Sequence, residues 1–85
     1  MQTVMYEGHK IEIKEESITG VEKVFYDGRE VSSKRSMLGT THVFSVHEDG
    51  QNVQYEVEIG VKTVFFMPRP YTTVRRNGVL IFSNR

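Results

Sequence analysis

The sequence has no cysteine, no tryptophan and no alanine, and its only leucines are Leu38 and Leu80. Without cysteine there are no disulfides, thiolate metal sites or cysteine nucleophiles. Small secreted domains usually need such staples, so a reducing, cytoplasmic setting is expected. Without alanine and with little leucine, the chain lacks the side chains that favour a helix most. No stretch approaches the ~20 apolar residues of a membrane-spanning helix. The opening Met1-Gln2-Thr3-Val4-Met5-Tyr6 does not have the basic start and apolar run of a secretory leader. Acidic residues are also missing from one region: none follows Glu58.

What is present favours strands. Valine dominates the apolar residues, backed by isoleucine, phenylalanine and tyrosine, and β-branched and aromatic side chains fit a pleated surface. The 85 residues make one domain, 1–85. A chain this short buries roughly 60% of its unfolded surface, enough for one thin core and little enclosed cavity.

Turn signals recur about every ten residues, at Glu7-Gly8, Thr19-Gly20, Asp27-Gly28, Leu38-Gly39, Asp49-Gly50, Ile59-Gly60, Pro68-Arg69-Pro70 and Asn77-Gly78. Asp-Gly and Asn-Gly favour two-residue type I′ hairpins, which need positive φ at both positions. Between turns the apolar period is two. Val53, Tyr55, Val57 and Ile59 alternate with Gln54, Glu56 and Glu58, and Ile11 and Ile13 alternate with Lys10, Glu12 and Lys14. Further strands are expected at 21–26, 29–36, 42–47, 72–76 and 79–83. A doubly covered strand is expected at 62–67, and loops at 32–41 and 67–72. The fold class is all-β: an antiparallel β-sandwich or partly closed barrel of about 7–8 short strands.

Catalytic and metal chemistry find no constellation. His42 and His47 are an odd number of residues apart, so one strand points them to opposite faces. With His9 they read as surface or turn-capping residues. Glu12, Glu56 and Glu58 lie on outward strand positions as solvated charge. There is neither a Gly-x-Ser-x-Gly elbow nor a phosphate-binding glycine loop. No catalytic residue, metal ligand or cofactor is assigned.

Net charge is zero, which argues against nucleic acid as partner. The zero conceals a split. Residues 1–60 hold eleven acidic and six basic groups, whereas the remainder holds Lys62, Arg69, Arg75, Arg76 and Arg85 alone. One reading pairs this basic tail internally with strand 54–58. The other exposes Lys62, Arg69, Arg75 and Arg76 to an acidic partner. The principal functional expectation is therefore a non-catalytic interaction module that binds a protein partner or self-associates. The alternative is a small-ligand or anion-binding domain using the 32–41 loop, where Lys34, Arg35, Ser36 and Thr40 are the candidate contacts.

The segments Tyr6-Glu7-Gly8-His9-Lys10-Ile11-Glu12-Ile13 and 20–30, with Thr41-His42-Val43-Phe44-Ser45-Val46 and the closing Arg76-Asn77-Gly78-Val79-Leu80-Ile81, resemble the Fas apoptotic inhibitory molecule family. The likeness spans about residues 4–60 and loosely the last hairpin, and this chain lacks tryptophan. The resemblance implies one compact β-sandwich unit acting through protein contacts, without catalysis or cofactor.

Overall fold

The computed structural model describes residues 2–16, 18–36 and 39–85. Its strands are β1 (Gln2–Tyr6), β2 (His9–Glu15), β3 (Val21–Tyr26), β4 (Arg29–Arg35), β5 (Thr40–Glu48), β6 (Gln51–Val64), β7 (Met67–Arg76) and β8 (Val79–Ser83). They form two four-stranded antiparallel sheets, in the orders β1-β2-β3-β4 and β5-β6-β7-β8. The chain divides into two matching compact units, Met1–Met37 and Leu38–Arg85. The all-β antiparallel expectation holds, with two open sheets and no closed barrel.

Alternation determines which side chains are buried. In the first sheet these are Val4, Ile11, Ile13, Val24 and Tyr26; in the second, Phe44, Val46, Val53, Tyr55, Val57, Ile59 and Val74. Among the described residues five hairpins close over two residues: 7–8, 27–28, 49–50, 65–66 and 77–78. Both residues of each have positive φ, as a type I′ turn requires. Four of the five carry the Glu-Gly, Asp-Gly or Asn-Gly that makes this conformation cheap, while the fifth carries Phe65-Phe66.

Several expected boundaries move for this reason. Ile59-Gly60 is not a turn: both residues lie inside β6, which runs straight on to Val64. The segment 62–67 is not a covered strand. It turns at Phe65-Phe66 and leaves both rings in solvent. Residues 67–72 are strand, with Pro68 and Pro70 inside the ladder opposite Thr63 and Val61. In a two-residue hairpin those two positions alternate with the hydrogen-bonded pairs, so the missing N–H would have pointed away from β6. The Glu7-Gly8 turn is preceded by strand β1.

The two sheets share a construction that the sequence reading did not detect. Each has a bulge two residues before its last turn, at Val24/Phe25 and Val74/Arg75. In each, that turn's Asx side chain reaches across to the neighbouring hairpin. Lys10 N–H donates to Asp27 Oδ1 at 2.8 Å, and Gln54 N–H donates to Asn77 Oδ1 at 2.9 Å. The backbone returns the favour: Asp27 N–H donates to the Lys10 carbonyl and Asn77 N–H to the Gln54 carbonyl, each at 2.8 Å.

Gly39 enters the second sheet with φ 115°, and a Cβ there would fall on the Ile59 carbonyl and the Gly60 Cα. Neither the positive φ nor the contact with backbone can relax cheaply. Gly39→Ala is expected to cost more than about 2 kcal/mol in urea unfolding. Gly50→Ala, with positive φ but nothing within 4 Å of its added Cβ, should cost only about 1 kcal/mol. Equal losses at the two sites would contradict this account of Gly39.

Candidate functional site

The chemistry-bearing residues of the second sheet fall into a buried cluster and an exposed ribbon. On β5 the inward positions are His42, Phe44, Val46 and Glu48. This parity carries a carboxylate into the interior, where Glu48 is only 6% exposed. Its oxygens are taken up by two neighbours. Tyr55 O–H donates to Oε2 at 2.5 Å, and Arg76 donates to Oε1 through Nε at 3.2 Å and Nη2 at 2.7 Å. β5, β6 and β7 are thus tied by one ion pair and one hydroxyl. Burial, with the adjacent Glu48 carboxylate, pushes the Tyr55 hydroxyl up to about 12. The Glu48 carboxylate holds the Arg76 guanidinium further into its charged form.

The candidate residues of the basic tail therefore separate. Arg76 is bound internally to Glu48. Arg75 is exposed and stands opposite Glu56 in the ladder. That is the register the internal-pairing reading requires, although no ion pair joins these two side chains; Glu58 instead lies opposite Thr73, whose hydroxyl donates to it at 3.2 Å. Lys62 and Arg69 lie farther out and face each other across β6 and β7. Like charges directly opposite oppose pairing, and no ion pair joins either cation to another described residue.

Lys62 and Arg69 belong to a two-stranded ribbon. β5 pairs with β6 only as far as Ile59, and β8 pairs with β7 only from Thr73. From Gly60 to Tyr71, β6 and β7 therefore pair in the ladder only with each other. The Tyr71 ring lies over Gly60 at the ribbon's base, where a Cβ would come within 2.5 Å of the Tyr71 hydroxyl oxygen. The Arg85 guanidinium sits 4.8 Å from the centre of that ring. At the tip, Phe65 and Phe66 are 92% and 98% exposed, with φ of 51° and 65°. Met67 and Val61 are also exposed.

The alternative anion site is less open. Lys34 stands opposite Glu22 in the β3–β4 ladder. Ser36 N–H is committed to the Gly20 carbonyl at 2.9 Å. Thr40 is paired with Ile59 at the start of β5. Arg35 is exposed at the end of β4, opposite Val21. Met37 and Leu38 of that loop lie outside the described residues.

The histidines do not converge. His42 is fully buried, which corrects the expectation of a surface residue: an inward strand position outweighs its polarity. His47 points outward, as the odd spacing requires. His9 lies against the turn, its Nδ1 2.8 Å from Asp27 Oδ2 and its ring stacked on Tyr26. The bonds from His9 and the Lys10 amide hold the Asp27 carboxyl below its usual range. Among the described residues no three His, Asp or Glu side chains are grouped to hold a metal ion.

The sequence reading missed Glu48 with Tyr55, and the Phe65-Phe66 tip. The first was detectable from the parity of 42, 44, 46 and 48. The second could be suspected only from two adjacent aromatics midway between Asp49-Gly50 and Asn77-Gly78. No family model, no curated protein and no solved structure matches the chain.

Two measurements test the buried cluster. Arg76→Gln leaves a buried carboxylate without its cation and should cost about 3–5 kcal/mol. Arg75→Gln should stay within about 0.5 kcal/mol. Equal effects would show that the Glu48 pair is not structural. The second measurement is pH dependence. Tyr55 holds its proton more tightly folded than unfolded, so its contribution is complete below pH 10.0 and lost as pH rises to about 12. Urea midpoints should fall through that window, and Tyr55→Phe should remove part of the fall.

Proposed function

We propose that this chain is a non-catalytic interaction module whose contact element is the ribbon 60–71, with Lys62 and Arg69 as its charged contacts. The observation that carries this reading is the ribbon's exposure: two cations without an ion pair among the described residues, exposed Arg69 and half-buried Lys62, and two solvent-facing aromatic rings sit on an element that extends beyond its sheet. Aromatic and arginine side chains together are the usual anchors of interfaces. Two further points support it. The buried carboxylate Glu48 is saturated by Tyr55 and Arg76, which leaves it poorly suited to act as a general base. The resemblance to the Fas apoptotic inhibitory molecule family points the same way, towards contact without catalysis. Arg76 is not included in the contact set because Glu48 binds it within the sheet, and Arg75 is left out because it stands opposite the carboxylate-bearing Glu56 rather than on the ribbon.

The test is affinity capture from the source lysate, comparing the native chain with Lys62→Glu/Arg69→Glu at low and moderate salt. The variant should remain folded, since it exchanges one like-charged pair for another across the ladder and breaks no ion pair among the described residues. Loss of the captured partner in the variant, with weaker capture in salt, is the expected result. Undiminished capture by a folded variant would refute the assignment to the ribbon.

A further inference from the structure

The Phe65-Phe66 turn goes against the rule that the other four hairpins follow. A type I′ turn needs both central residues in the left-handed region, where a non-glycine residue pays a steric penalty of roughly 1–2 kcal/mol. The four other turns limit that penalty with a glycine at the second position. This one places a phenylalanine at both positions and leaves both rings almost wholly in water. Strain and exposed apolar surface at one point give the isolated fold nothing, and such combinations mark binding elements.

The residues behind the tip narrow the partner's chemistry. Val64 and Met67 close the turn, Lys62 and Arg69 face each other three residues behind the rings, and Val61, Thr63, Pro68 and Pro70 carry no charge on the other face. At about 3.3 Å per residue the cations stand about 10 Å behind the tip. That separation matches a lipid surface. Apolar anchors lying at a membrane interface sink about 5–10 Å, to the boundary of headgroups and acyl chains, which brings Lys62 and Arg69 level with the phosphates. Phenylalanine is among the apolar side chains that interfacial elements bury there. No acidic side chain follows Glu58 in the sequence to repel an anionic headgroup. The prolines fit as well. Pro68 and Pro70 remove two outward N–H donors from the edge of β7, which lipid could satisfy only poorly and which a second strand would need for pairing.

We infer that the tip of the ribbon docks on anionic lipid bilayers, with Phe65 and Phe66 inserted at the interface and Lys62 and Arg69 bound to headgroup phosphates. This rests on the interaction-module reading and specifies its partner as a membrane surface.

The experiment is co-sedimentation of the full chain with phosphatidylcholine vesicles, with and without phosphatidylserine, at low and high salt. The variants are Lys62→Glu/Arg69→Glu and Phe65→Asn/Phe66→Gly. The second places Asn-Gly in the same turn, so its melting midpoint should hold or rise while its lipid affinity falls. The expected result is binding to the serine-containing vesicles alone, weakened by salt, and reduced roughly tenfold or more by either variant. The chain has no tryptophan, so Phe65→Trp gives a single emission signal. It should shift blue on those vesicles and be quenched by lipids brominated near the headgroup; inorganic phosphate alone should leave it unshifted. Absence of vesicle binding at low salt overturns the membrane inference. If lysate capture is still lost in Lys62→Glu/Arg69→Glu, the module reading stands with a protein as partner. Vesicle binding that Phe65→Asn/Phe66→Gly leaves intact also overturns the inference, because another surface is then responsible.

Discussion

The structure depends on the two-residue turn. When a hairpin closes over two residues in the left-handed region, the residues on either side become partners and every later pair in the ladder is fixed. Turn 49–50 sets Glu48 opposite Gln51, and with it Phe44 opposite Tyr55 and His42 opposite Val57. Turn 65–66 sets Val64 opposite Met67, and with it Tyr55 opposite Arg76. The Asn77 side chain and amide hold turn 77–78 against Gln54, one residue before Tyr55. Glu48, Tyr55 and Arg76 meet because two turns fix the register on either side of β6. The ion pair rewards this arrangement only in that register. A slip of one residue would put Glu48 on the wet face and leave Arg76 without its partner.

The same logic explains how much was legible in advance. Alternation identified the buried faces correctly along 53–59 and at Ile11 and Ile13, since a half-buried strand leaves a period-two trace. Asp27-Gly28, Asp49-Gly50 and Asn77-Gly78 were readable because their chemistry matches their backbone. Phe65-Phe66 was hidden because its chemistry opposes its backbone. Apolar residues on both faces of 62–67 normally mean a strand covered on both sides, and here they mean a tip covered on neither. His42 and Glu48 were misjudged for a related reason: polarity suggests the surface, and only a register partner that satisfies the side chain permits burial. Tyr55 and Arg76, which answer Glu48, lie 7 and 28 residues away in sequence. No local pattern announces that contact.

The repeated construction also accounts for the misleading charge split. Residues 1–37 hold seven acidic and six basic groups, and residues 38–85 hold four and five. Each unit is close to neutral, so the asymmetry does not set one unit against the other. It runs along the second sheet, where acidic β5 and the first half of β6 precede basic β7. An antiparallel meander folds such a sequence gradient back on itself. Glu56 comes to face Arg75, and Arg76 reaches Glu48 across the intervening strand. Charges that look segregated in the sequence are neighbours in the sheet.

That folding-back works only as far as the partner strands extend. β5 accompanies β6 up to Ile59 and β8 accompanies β7 from Thr73 onward. Within those limits a basic residue on β7 has acidic residues within reach. Beyond them β6 and β7 pair only with each other, and there the ladder places Lys62 against Arg69. A cross-strand pair of like charges costs stability that an opposite pair would have contributed. The strained Phe65-Phe66 turn adds to that cost within a few residues. Two unfavourable choices in so short an element argue that the ribbon was shaped by what it touches. The remedy the fold uses elsewhere, an Asx-Gly turn with a carboxylate opposite each cation, would have removed both costs and with them the cationic, aromatic end that the element presents to solvent.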